Sequence, residues 1–577
     1  MGMYSQKAFE ILNSSINSAV FIDEKAKDFY SGTPVNSDIV EEKLSEDLFT
    51  TFRDNGKSLV VHKFEASNLE NPQILDYLFK GRDLILLDWE LAGVAGQEHS
   101  LKLLNKAVGA PYINFCCIYS SSGNFNEIPL FLDAYFSGLN KEEFDVIKIT
   151  YEYIEPQEIQ KLWNENGDIN DFFATNSIDV SAFPVERVRE KSAELILRYI
   201  YISLVSEKLI IPESANIDYE VLHVGDNSFI INNTFVLTLK KDLNEDSDYN
   251  KLLKRISDIV TKNNGSFFQL LGLEMQSVFN SNERFIDETI LKSSTEALFQ
   301  FRNHINDDKT FGIIIKKLLL EQATLKLRTA KLELLKEDFL DFKSKELATK
   351  EPSNEDLFQL NVFHNAVSVK SLNPDDIPNL NFGDVFKGSG DDYYLCITAL
   401  CDCYYPNKIE HNFYFVKGTE FNDIELALRL GDTAFLSFLP NGKAVYWGDI
   451  EKPELKKIKE LTLSNSVDDS KKLQSDITSQ KAFIDKLLHN QEVLNRFLYK
   501  PFYIKPKVYN VDNNKLMDNK IRIWDITNKY TKEEFDQNLN YFDVEYITTL
   551  RNDYAQRIAN HAFGHPARVG VDFVKIK

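Results

Sequence analysis

Over the first 155 residues, short apolar runs alternate with amphipathic stretches. Ser18–Ile22 is a buried-strand run closed by Asp23-Glu24, and Lys57–Phe64 is a second. Asp83–Leu87, closed by Asp88, reads as a third strand, and Ile113–Tyr119, followed by Ser120 and Ser121, as a fourth. Phe144–Tyr151 (FDVIKITY) reads as a fifth, because β-branched and aromatic residues dominate it. Between these runs, Asp38–Asn55, Pro72–Lys80, Gln97–Ala107 and Ile128–Gly138 carry apolar residues at helical spacing. Strands alternating with helices predict a doubly wound, five-stranded parallel α/β domain over residues 1–155.

Further along, the pattern changes. Residues 156–350 read as a mostly helical domain, with a helix opening at Pro184 and a long helical stretch over Phe311–Lys350. Inside it, Ser228–Lys240 (SFIINNTFVLTLK) has the form of a hairpin turning at Asn232-Asn233. Aromatic and β-branched residues with regular turn signals make 355–450 a small β-rich barrel or sandwich. Residues 451–577 read as a charged helical segment over Glu451–Tyr499 and a mixed α/β tail with a helix near Lys532–Tyr541.

Composition narrows the function classes. The chain has 577 residues, with 66 Lys and Arg against 88 Asp and Glu, a net charge of −22. Such a surface repels nucleic acid and anionic membrane, so neither is expected as a partner. Five cysteines, an odd number, build no disulfide framework. The N-terminus lacks a signal-peptide pattern and no apolar run is long enough to span a bilayer. A cytoplasmic location is the expectation.

The densest chemistry lies in the first domain. Ligands of a doubly wound sheet collect at the carboxyl ends of its strands. There stand Asp23 and Glu24, then Asp88, then Ser120, with Lys148 on the expected fifth strand. Three carboxylates at one edge call for a cation, and Mg²⁺ suits them because it accepts a few carboxylates and keeps waters. A carboxylate there can act as a nucleophile toward phosphorus, while a hydroxyl and an ammonium hold the phosphoryl oxygens. Other clusters are weaker. Cys396, Cys401 and Cys403, with His411 nearby, lack the paired spacing of structural zinc sites and fit a β-rich core. His561 and His565 stand four apart, but Gly564 and Pro566 interrupt a helix there.

The order VFIDE, DLILLDWEL, IYSSSG and FDVIKI resembles the receiver domain of response regulators over roughly residues 15–155. The resemblance implies that Asp88 accepts a phosphoryl group from a histidine kinase, that Asp23, Glu24 and Asp88 hold Mg²⁺, and that Ser120 and Lys148 contact the phosphoryl group. This sequence departs from the family in a longer separation of Asp23 from Asp88, an insertion near Tyr30–Asp47, and no Lys-Pro after the fifth strand. Lys148 also stands inside that expected strand rather than at its end.

No DNA-binding, kinase or cyclase motif follows. The layout is similar to the large receiver proteins of bacterial conflict systems, in particular the non-effector receiver component of the Detocs anti-phage system. That similarity implies a phosphate acceptor, relay or sink, with a histidine kinase and an effector bearing its own receiver as partners, and self-phosphorylation and autodephosphorylation as its enzymology at most. The alternative is a receiver-fold interaction scaffold that is not phosphorylated. The 311–350 stretch offers a surface for a homo-oligomer.

Overall fold

In a computed structural model, residues 2–447, 504–526 and 541–564 are described, short segments within those ranges excepted. The chain divides into two compact units, Met1–Leu291 with Leu319–Leu347, and Lys292–Leu318 with Ala348–Lys577. None of the described helices is long and apolar enough to cross a membrane.

The first unit begins with α1 (Met3–Ser15), β1 (Ser18–Asp23), α2 (Val40–Asp54), β2 (Ser58–Lys63), α3 (Pro72–Phe79), β3 (Leu84–Leu87), α4 (Gly96–Val108) and β4 (Asn114–Ser120). Five helices follow: α5 (Ile128–Tyr135), α6 (Lys141–Tyr151), α7 (Pro156–Asn164), α8 (Ile169–Thr175) and α9 (Ala193–Leu204). Then come β5 (Val221–Gly225), β6 (Ser228–Ile231), β7 (Thr234–Lys240), α10 (Tyr249–Val260), α11 (Phe267–Asn282) and α12 (Glu288–Leu291). Beyond them lie α13 (Thr295–Ile305), α14 (Asp308–Leu327) and α15 (Glu337–Leu347).

The seven-stranded sheet has the order β2-β1-β3-β4-β7-β6-β5. From β2 to β7 the pairings are parallel, and β5, β6 and β7 pair antiparallel. The central strands β1, β3 and β4 are buried along nearly their whole length because both faces are covered. Phe21, Leu86, Cys117 and Leu237 face a core shared with α1, α2, α10 and α11. Ile22, Ile85, Ile118 and Val236 face one shared with α3, α4 and α5. The expected parallel α/β architecture is therefore present.

The fifth parallel strand is not the segment expected. Phe144–Tyr151 lies in α6, and the strand beside β4 is β7, the second arm of the Asn232-Asn233 hairpin. Two features put FDVIKITY in a helix. Asn140 and Glu143 form a capping box at its start, and Phe144, Ile147 and Tyr151 are buried at three- and four-residue spacing while Val146 and Ile149 are exposed. Helical period outweighs β propensity here. Residues 121–233 thus separate β4 from β7 along the chain; of these, β5 and β6 belong to the sheet, while α5 to α9 bury a core of their own around Phe144, Ile147, Phe183, Ile196 and Ile200.

Two further expectations are corrected. The helix expected from Pro184 begins at Ala193 with Ser192 as its N-cap, after a short 3₁₀ turn over Glu186–Val188. The long 311–350 helix is broken between α14 and α15. There Leu334 is buried in the first core and Glu333 is tied to Lys7 at 2.6 Å and, through its N–H, to Glu274 at 2.5 Å.

The second unit continues with α16 (Asn354–Asn365), β8 (Ala366–Val367), β9 (Asp384–Lys387), β10 (Asp392–Cys396), α17 (Leu400–Tyr404), β11 (Asn412–Phe421) and α18 (Ile424–Leu430). It ends with β12 (Leu436–Phe438), β13 (Ala444–Trp447), β14 (Pro506–Val511), β15 (Lys520–Asp525), β16 (Phe542–Leu550) and α19 (Asn552–Gly564). Pairing of β10 with β11 closes the run β10-β9-β16-β15-β14-β11 into an antiparallel barrel. Phe386, Tyr394, Phe415, Tyr509, Ile523 and Tyr546 fill one side of the strands, and Val385, Tyr393, Leu395 and Val416 pack on the other. The β-rich domain expected near 355–450 thus shares its barrel with strands from the tail. The helices expected at 451–499 and 532–541 lie outside the described residues.

Within this unit Asp384 is buried, its carboxylate accepting from the Thr549 hydroxyl at 2.8 Å and the Asn381 N–H at 2.7 Å. Burial pushes its pKa up to about 7. Because the folded value lies above the unfolded one, the folded state loses stability as pH rises from about 4 through 7. Asp384→Asn should flatten that decline in thermal melts between pH 5 and 8. Equal slopes for the two proteins would show that another group governs it.

Candidate functional site

The strand order reverses between β1 and β3, and such a switch point opens a crevice beyond the carboxyl ends of those strands. Register places the acids there. Ile22 pairs with Leu87, and the Asp88 N–H donates to the Ile22 carbonyl at 3.0 Å, so Asp23 and Asp88 emerge side by side. On the other flank Ser120, which closes β4 and is buried, pairs with Lys240, and its carbonyl accepts the Lys241 N–H at 2.9 Å. Lys241 stands two residues beyond Leu239, the β7 partner of Tyr119. That offset is roughly 7 Å of strand, a distance a lysine stem can span by leaning back.

Its ammonium does so. Lys241 Nζ lies 2.7 Å from Asp23 Oδ2 and 2.8 Å from Asp88 Oδ1, and sits 5.5 Å from the centroid of the Tyr119 ring. All three side chains are nearly out of solvent. Burial pushes the Asp88 carboxyl up to about 6; Lys241 pulls it down, and the neighbouring Asp23 pushes it up again. Burial also pulls Lys241 down, but the two carboxylates outweigh it and hold the ammonium above its ordinary value.

The turn after Asp88 is held from several sides. The Ser100 hydroxyl, fully buried on α4, faces the carbonyls of Asp88 at 2.8 Å and Trp89 at 2.9 Å. Glu24 Oε2 accepts the N–H of Ala92 at 2.5 Å, and Ala92 has a φ of 58°. Gly96 opens α4 so close beneath this turn that a Cβ would lie 2.7 Å from the Leu91 nitrogen.

Asp23, Asp88 and Ser120 therefore share one edge, with Glu24 bonded to the turn beside them. Lys148 does not join them. It lies on α6 and pairs with Glu207 at 2.9 Å. Lys241, absent from the sequence reading, stands at the carboxyl end of the fifth parallel strand instead. The signal for it was present: TFVLTLKK is an apolar run ending in two lysines, set after a hairpin.

The remaining candidates are apart from this edge. Cys396 and Cys403 are buried in the barrel core and Cys401 is exposed. His411 Nε2 is 3.0 Å from Asn407 Oδ1, and His561 lies on α19. His565 is outside the described residues. Among the described residues, no group of three or more His, Cys, Asp or Glu side chains is arranged to hold a metal. The donor set at Asp23 and Asp88 nevertheless suits Mg²⁺, because hard carboxylate oxygens from two strands already face one positive charge.

Residues 15–163 match the family model of the response receiver domain. No curated protein and no solved structure matches the chain. Receivers accept a phosphoryl group in signalling, in general from a donor such as a histidine kinase, and they generally bind Mg²⁺ at the phosphorylation site. The receiver match ends within α7, so β7 and Lys241 lie beyond it.

Removing the ammonium leaves two buried carboxylates facing each other. Lys241→Ala should cost about 3–5 kcal/mol of stability in the first unit by denaturant titration, as expected when one partner of a buried pair is deleted. Lys148→Ala, at a partly exposed pair, should cost under about 1 kcal/mol. Equal losses would contradict the assignment.

Proposed function

We propose that this protein is a phosphoacceptor of a histidine-kinase pathway, with Asp88 as the residue modified. The observation that supports the reading is the pairing of Asp88 with Asp23 and Lys241 at the switch point of a receiver sheet. An oxygen of the ionised Asp88 carboxylate bonds to phosphorus, and the bond from phosphorus to the donor breaks, its electron pair staying with the donor. Lys241 and the Ser120 hydroxyl take the phosphoryl oxygens, and Ser100 and Glu24 keep the Asp88 turn in place. Asp23, Glu24 and Asp88 would hold Mg²⁺, which when bound supplies positive charge opposite the phosphoryl oxygens.

The role in a pathway is acceptor, relay or sink, in a bacterial defence setting of the kind the layout resembles, with a receiver-bearing effector as the competing acceptor. A second reading has one observation in its favour. Lys241 already neutralises Asp88, as it would in a receiver kept as a docking scaffold.

Intact mass after incubation with Mg²⁺ and acetyl phosphate separates the two. One added phosphoryl group, absent from Asp88→Asn and strongly reduced in Lys241→Ala, is the expected result. No adduct with acetyl phosphate or with a phosphorylated histidine kinase would favour the scaffold.

A further inference from the structure

The helices α5 to α9 are spliced into the receiver at its chemistry. The chain leaves the sheet at Ser120 and returns to it through β5 and β6 to β7, which ends against Lys241, so both candidate phosphoryl contacts flank residues 121–233. A third tie runs through side chains. Trp89, next to the phosphoacceptor and 1% exposed, packs edge-on against Phe131 of α5 with ring centroids 5.7 Å apart. The helix α5 has two sides. Ile128, Phe131 and Leu132 belong to the receiver core, whereas Ala134 belongs to the core of the insertion. On that second side the Asp133 carboxylate, 5% exposed, pairs with Arg198 of α9 at 2.8 Å.

Beside these contacts lies open space. A cleft of about 780 Å³ separates Glu98 and Lys102 of α4 from Lys141 and Lys148 of α6 and the strap at 206–213. Helices α6 to α9 keep a core of their own and reach the receiver core through α5 and through Leu209, Ile210 and Tyr219. They border open space, so they can shift as a body by movement at those joints.

We propose that this insertion is the output element of the receiver, and that phosphorylation of Asp88 is transmitted to it through Trp89, Phe131 and the Asp133–Arg198 pair. The inference rests on Asp88 accepting a phosphoryl group. The differential interaction that drives it is local. A phosphoryl group on Asp88 draws Lys241 off the two carboxylates it now bridges, and Trp89, the residue after Asp88, packs on α5 of the insertion.

Hydrogen exchange read by mass spectrometry on the full chain, with and without acetyl phosphate and Mg²⁺, tests this, with intact mass recorded on the same samples. Peptides from 125–205 should change their exchange rates by about 3-fold or more on phosphorylation, a local change in opening equilibrium. They should stay unchanged in Asp88→Asn. Phe131→Leu, which keeps an apolar side chain in the core, should still take the phosphoryl group but lose most of the change. A phosphorylated protein whose exchange alters only near 85–120 and 236–248, or a Phe131→Leu protein that responds like wild type, would overturn the inference. Absence of any mass increase would instead remove the phosphoacceptor reading, and this proposal with it.

Discussion

One ammonium and two carboxylates organise the first unit. Asp23 and Asp88 emerge together because β1 and β3 run parallel in register, and burial makes their mutual repulsion strong. Lys241 answers both charges, and it is delivered by a strand that follows Asp88 by about 150 residues and Asp23 by more than 200. The fold must therefore bring β7 beside β4, whatever lies between them. The compensation is incomplete: burial, with Asp23 added to it, outweighs Lys241 and pushes the Asp88 carboxyl up to about 6, above the usual carboxylate range. A site with a surplus negative charge is one that a further cation would suit.

That constraint explains how an insertion can be accommodated. The doubly wound sheet needs β7 only for its position, and the hairpin with β5 and β6 extends the sheet past it. The inserted helices satisfy their apolar faces largely among themselves, so the receiver core does not depend on them except through α5. The second unit is held on a separate principle. Its barrel closes through the β10–β11 pairing, and helices α16, α18 and α19 cover the outer apolar face of the strands.

Much of this was legible in the sequence. The three strand runs that lead to Asp23, Asp88 and Ser120 stand out because those parallel strands are buried on both faces. The Asn232-Asn233 hairpin was also visible, through a turn in which Asn232 takes a φ of 53°. What misled was connectivity. Sheet strands usually follow one another over short links, so FDVIKITY, next in line and rich in β-branched residues, stood where a fifth strand was due. Its capping box at Asn140 and Glu143 and its helical spacing were the contrary signals. Position in that expected strand pointed to Lys148, whereas Lys241 stands just past the hairpin Ser228–Lys240, where nothing in the local pattern marks it as part of the acidic edge. The break at Leu334 left no Gly or Pro in the sequence, because tertiary burial causes it.

The central claim is that Asp88 and Lys241 form one phosphoryl site across the insertion. A crystal structure of the full chain with Mg²⁺ and beryllofluoride, a mimic of the phosphoryl group, tests it most directly. The account predicts the mimic on an Asp88 carboxylate oxygen with Lys241 Nζ within hydrogen-bond distance of its fluorines. Beryllofluoride on another residue, or on Asp88 with Lys241 turned away and still bridging to Asp23 alone, would contradict it.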